Sequence, residues 1–139
     1  MNWISWALLS AFFAGLTAIL AKVGVAGVDS NLATALRTTV VLVFTWAIAL
    51  TGNSLASLGA LSGRTLLFLA LSGIATGLSW LCYFRALQLG PASRVAPVDK
   101  LSVVFAIALA ALVLGEPLSW RQYLGGALIA AGAIILACG

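Results

Sequence analysis

The chain contains no histidine, and its 139 residues hold only three acids, Asp29, Asp99 and Glu116, against seven lysines and arginines. The two cysteines, Cys82 and Cys138, stand alone inside apolar runs, with no CxxC pair and no histidine to complete a site. A zinc centre or disulfide framework is therefore not expected, and both thiols read as small apolar fillers. There is no GxxxxGK[ST] loop, no GxSxG elbow and no His/Cys/Asp cluster. Nucleotide hydrolysis, acyl transfer and metal chemistry all lack apparatus, so the chain reads as a non-enzyme with no cofactor and no metal. A TVGYG-type filter and rings of acids are missing too, which leaves no selectivity device of an ion channel.

Charge itself is scarce. Charged residues make up 7% of the chain, against about 25% in soluble domains. The formal net charge of +4 would suggest a polyanion partner in a soluble protein. Here the basic residues are scattered at or just inside the ends of apolar runs, a pattern of membrane topology and snorkelling that does not suit nucleic acid.

What fills the chain is hydrocarbon: 63% of its residues are apolar, and the mean hydropathy is +1.19. A spanning helix needs about 20 apolar residues, and five such segments separate, at approximately 3–21, 32–50, 65–89, 92–114 and 119–138. The expected fold is an all-α integral membrane protein with five transmembrane helices in one domain, 1–139. Met1-Asn2-Trp3 lacks the basic start of a secretory signal, so the first segment is expected to be a retained span. Short connectors make consecutive spans antiparallel neighbours.

Polar residues recur on helical faces. In the third segment Ser72, Thr76, Ser79 and Tyr83 share one stripe, and Gly73, Gly77, Trp80 and Phe84 the next. In the second, Thr34, Thr38 and Thr45 share a face with Arg37 at its edge, about two turns inside. These threonines either bond back to their own helix carbonyls or line a path. The fifth segment carries Gly125, Gly126, Ala130 and Gly132, small residues that allow a close packing or dimer seam.

The stretch from Gly90 to Pro117 is the densest in chemistry. It enters through Pro91 and Pro97, carries Asp99-Lys100 inside, and stops at Gly115-Glu116-Pro117. Ionisable groups inside a span usually face a bundle interior or a watery cavity. On an unbroken helix Asp99 shares its face with Ser102, Val103, Ala106 and Ala110, while Lys100 points toward Val104, Ile107 and Ala111. Arg37 and Asp99 each lie about 10 Å from the start of their spans by helix rise. They are expected to pair, either as a static ion pair or as a working one.

Several of these residues carry a family resemblance. The run Tyr83-Phe84-Arg85-Ala86-Leu87, then Gly90 and Ala92-Ser93-Arg94-Val95-Ala96-Pro97, then Asp99-Lys100-Leu101-Ser102, Leu114-Gly115-Glu116 and Gly125-Gly126 with Gly132, resembles the EamA-like branch of the drug/metabolite transporter superfamily. The likeness is to its short five-span bacterial and archaeal members. It implies half of a ten-helix inverted-repeat fold and secondary active transport of a small polar or zwitterionic metabolite or drug by alternating access. A place in a bacterial or archaeal plasma (inner) membrane is implied as well.

A single five-span unit implies a homodimer. Connector charges divide evenly, Arg64 and Arg121 on the N-terminal side against Lys22 and Arg94 on the other, which fits dual topology and an antiparallel pair. The substrate path is expected along Arg37, Thr38, Thr45, Ser72, Thr76, Ser79, Trp80, Tyr83, Asp99 and Lys100, with Asp99 as the candidate for a coupled proton or a gate. A non-transporting membrane assembly subunit and a small channel are the alternative readings.

Overall fold

The computed structural model describes residues 2–52 and 58–138. Among the described residues six α-helices follow in order: α1 (Trp3–Gly24), α2 (Ser30–Thr51), α3 (Gly63–Leu89), α4 (Ala92–Asp99), α5 (Ser102–Leu114) and α6 (Trp120–Cys138). Among the described residues there is no strand. The protein is all-α. Five of its helical stretches are long and apolar enough to cross a membrane, with α4 and α5 together forming the fourth, Ala92–Leu114. Part of the connector between α2 and α3, residues 53–57, lies outside the described residues.

Local chemistry sets the helix ends. Asp29 caps α2, its Oδ1 accepting from the amides of Asn31 at 2.9 Å and Leu32 at 3.0 Å, so the helix begins two residues before the apolar run. Ser62 Oγ accepts from the Thr65 amide at the start of α3. Before α6, Gln122 Oε1 accepts from both the amide and the hydroxyl of Ser119, so the glutamine half of a Ser-x-x-Gln capping box is made. At the far end of α5, Gly115 turns left-handed at φ 68°, and Glu116 N donates back to Ala110 O at 3.2 Å. Glycine takes that conformation without a Cβ penalty, and Pro117 then prevents the helix from resuming.

The fourth span is interrupted. Pro97 sits inside α4, yet the helix runs through it and stops one turn later, at Lys100-Leu101. There the backbone bonds shorten in register: Lys100 N donates to Pro97 O at 3.1 Å and Leu101 N to Val98 O at 3.0 Å. These are i→i−3 bonds, the tighter 3₁₀ pattern that often marks a hinge.

The chain divides into two compact units, one of Met1–Val23 with Leu89–Gly139 and one of Gly24–Gln88. In the first, α6 packs against α4 and α5. Gly126 and Ala133 are buried on its inner face, with Ile107 Cδ1 3.9 Å from where a Gly126 Cβ would stand. Lys22, at the end of α1, donates from Nζ to Gly90 O at 2.9 Å, joining α1 to the start of α4. In the second unit α2 and α3 run antiparallel, because Gln88 near the end of α3 donates to Val28 O just before α2. Phe84 and Leu87 are buried there, as are Ser30 and Thr34.

Candidate functional site

In the Gly24–Gln88 unit the inner face of α3 is Gly77, Trp80, Phe84 and Leu87, not the polar stripe beside it. Ser72, Thr76 and Ser79 are exposed, and Tyr83 is half-buried. Thr76 Oγ1 donates to Ser72 O at 2.9 Å, so its hydroxyl is satisfied within its own helix. The α2 threonines do the same. Thr34 donates to Ser30 O and Thr38 to Thr34 O, both at 2.7 Å, and Thr45 to Val41 O at 2.8 Å. The intrahelical bonding expected as one reading of these threonines is present in their geometry.

Arg37 is different. On α2, half-buried, it lays its guanidinium over the Trp80 ring, with Cζ 4.2 Å from the centroid, and 5.5 Å from the Phe84 centroid. The spacing that puts Ser30, Thr34 and Arg37 on one face of α2 aims all three inward. Trp80 and Phe84, four residues apart, form a matching aromatic strip on α3. A cation over an aromatic face gains from the ring quadrupole, the more so when desolvated. Within the described residues of its own unit Arg37 makes no hydrogen bond and no ion pair, and its electrostatic neighbour there is the Tyr83 phenol.

Gln88 is a functional-looking polar residue that sequence reasoning passed over. Its Oε1 accepts from Arg85 at 3.0 Å while its Nε2 donates to Val28 O at 2.5 Å. It clasps the α1–α2 connector to α3 and holds the Arg85 guanidinium at the helix surface. A glutamine so close to the end of an apolar run was the available signal.

In the other unit, the Asp99 carboxylate meets the adjacent Lys100 ammonium at 3.2 Å. Both charges sit at the interruption of the span, Asp99 as the last residue of α4 and Lys100 just past it. Counting faces along an unbroken helix put Ser102, Val103, Ala106 and Ala110 on one face with Asp99, and of these Ala110 is half-buried. Ser102, Val103 and Ala106 are exposed, while Val104, Ile107 and Ala111 are half-buried. The tightened turn at Lys100-Leu101 is the physical reason, since it shifts α5 out of phase with α4. On α6, Gly125, Ala130 and Gly132 are half-buried around the buried Gly126.

The arrangement offers a stacked cation on intact helices and an ion pair at a broken one. Neither is a catalytic set, and both are groups that a membrane-spanning chain retains at a cost.

Comparison with known proteins agrees with this membrane setting. The sequence model of the EamA-like transporter family matches residues 1–138. A Sinorhizobium sp protein named "Uncharacterized transporter in cobO 3'region" is 55% identical over 136 residues, which cover 98% of this chain and 96% of that protein. No solved structure matches the chain. With five helices long enough to span and a family match over nearly its whole length, the chain is an integral membrane protein that belongs to the EamA-like transporter family.

Proposed function

We propose that the protein is a secondary active transporter of a small polar or zwitterionic metabolite or drug, working by alternating access in the plasma (inner) membrane. The observation that carries this reading is the interrupted fourth span with Asp99 and Lys100 at the break. Non-helical backbone at membrane depth is tolerated where it is buried in protein or lines a watery cavity, and secondary transporters build their sites at such broken helices. Asp99 is the coupling or gate residue of this reading. Its carboxylate is already paired with a cation that a substrate or a proton could displace.

Five spans are half of a ten-helix inverted repeat, so the working unit of the proposal is a homodimer. Even connector charges favour an antiparallel one. Its seam in this proposal is the small-residue face of α6, the half-buried Gly125, Ala130 and Gly132 around the buried Gly126.

The test is reconstitution of purified protein in sealed liposomes under a proton gradient. Uptake of labelled amino acids, monocarboxylates and sugars is followed with and without the gradient. Saturable, gradient-dependent uptake of one class is the expected result. Unsaturable conductance would make the protein a small channel. Absence of flux, with a larger membrane protein co-purifying, would make it an assembly subunit. Dual insertion predicts two accessibility populations for a cysteine placed in the α1–α2 connector after Cys82 and Cys138 are replaced, and a single population would overturn it.

A further inference from the structure

Arg37 is a cation at membrane depth whose charge is met by rings. It lies seven residues into α2, about 10 Å by helix rise. The acid of its own unit, Asp29, is committed to the amides of Asn31 and Leu32. The guanidinium is planar. Its faces stack while its five N–H donors radiate from the edge in a fixed fork. Stacking on Trp80 at 4.2 Å and Phe84 at 5.5 Å occupies a face and fixes the plane, yet satisfies none of the edge donors. Within the described residues of its own unit Arg37 has no hydrogen-bond or ion-pair partner; the Tyr83 phenol is its electrostatic neighbour there. A half-buried, oriented donor fork without an acceptor is the half of a bidentate pair that the protein supplies.

We propose that Arg37 is the recognition point for a carboxylate on the transported molecule, and that by covering Trp80 it closes that ring to cations. This inference rests on the transporter reading and narrows its substrate to monoanions and zwitterions. The geometry favours a carboxylate over a phosphate because one guanidinium balances one negative charge. The other arginines of this unit are engaged elsewhere: Arg85 with Gln88 at 3.0 Å, and Arg64 over Phe68 at 5.8 Å. Without the guanidinium, Trp80 and Phe84 would present an open aromatic strip, the kind of surface that takes ammonium ligands.

The experiment uses three probes of matched size, propionate, propionamide and propylamine, at constant ionic strength. The readout is emission from a protein in which Trp80 is the sole tryptophan, the other four replaced by Phe, with thermal stability of the unsubstituted protein as a second measure. Saturable response to propionate with none to propionamide or propylamine is expected. Arg37→Gln should lose the propionate response and gain one to propylamine. Arg37→Lys keeps the charge without the fork and should bind propionate more weakly. Equal response to propionate and propionamide, or a propionate response that survives Arg37→Gln, overturns the proposal. Should Arg37→Gln fail to fold, the three-probe comparison and Arg37→Lys still decide it. Binding in detergent needs no flux, so a propionate-specific response in a protein inactive in liposomes would sink only the transport reading. Flux of neutral or cationic probes without a propionate response would sink only this one.

Discussion

The two units of the chain solve the same problem in opposite ways. Both must keep polar groups inside segments that have to live in hydrocarbon. The Gly24–Gln88 unit keeps its helices whole and handles its polar groups on them: threonine hydroxyls turn back to carbonyls one turn behind, and the face of the Arg37 guanidinium lies on aromatic rings. The unit containing α4 to α6 lets the backbone itself break, and sets two opposite charges 3.2 Å apart at the break. A side-chain site on rigid helices suits recognition, because its geometry is held. A tightened turn between two half-helices suits movement, because few bonds have to change. The difference predicts that substitutions in one unit change what is bound, and those in the other change whether it moves.

The largest effect tests that division directly. Asp99→Asn removes the charge at the break and leaves Lys100 unpaired, so flux in liposomes should fall to background while the protein still inserts and remains soluble in detergent. Binding of a carboxylate probe at Arg37 should survive. Flux at the original level in Asp99→Asn would remove the break from the mechanism and erase the contrast between the units.

Next in size is Phe84→Ala, which attacks the whole-helix unit. Phe84 is 3% exposed. Lipid tails are as apolar as the packed interior, so the transfer term largely cancels and the cavity term remains. At about 24 cal/mol per Å³, a void of roughly 100 Å³ costs about 2 kcal/mol. Denaturation in mixed detergent micelles would measure it. A loss under about 0.5 kcal/mol, the range of an ordinary surface substitution, would mean that α2 and α3 are held by something other than this packing.

Gly126 gives the corresponding test beside the break. A Cβ there would stand 3.9 Å from Ile107 Cδ1, an ordinary contact. Gly126→Ala should therefore be neutral or stabilise by up to about 1 kcal/mol through helix propensity. Gly126→Leu must push α5 away and should cost about 1–3 kcal/mol. Tolerance of leucine in the same detergent assay would show that the α5–α6 contact yields freely.

Much of this was legible in the sequence, and the remainder was hidden for definite reasons. The five spans follow from hydropathy and length alone, and Gly115-Glu116-Pro117 ends the fourth where its residue types require. Helix boundaries shifted where a cap reached past the apolar run, as Asp29 does before α2, and where α1 ran on past Ala21 to Gly24. Faces were harder. The inward turn of Trp80 and Phe84 toward Arg37 depends on how α2 and α3 pack, which a single-helix count does not contain. Ser102, Val103 and Ala106 left the Asp99 face because a tightened turn changes phase without leaving a glycine or a second proline to announce it. Pro97 drew attention one turn too early. The contacts from Lys22 to Gly90 O and from Gln88 to Val28 O join residues 68 and 60 positions apart, separations at which spacing carries no information.

The smallest expected effect is also the sharpest on the polar stripes. Thr34, Thr38 and Thr45 each donate to a carbonyl of their own helix, which already has its backbone partner. Replacing the hydroxyl by a methyl leaves no donor or carbonyl orphaned, and Val has nearly the shape of Thr. Back-bonding of this kind slightly destabilises a helix when anything, so Thr38→Val and Thr45→Val should change stability by less than about 0.5 kcal/mol. Their effect on flux then carries the information. If the threonines are only helix-satisfied, flux is unchanged. If Thr38→Val lowers uptake while stability holds, its hydroxyl leaves Thr34 O during the cycle to meet the substrate. The whole-helix unit would then take part in movement as well as recognition.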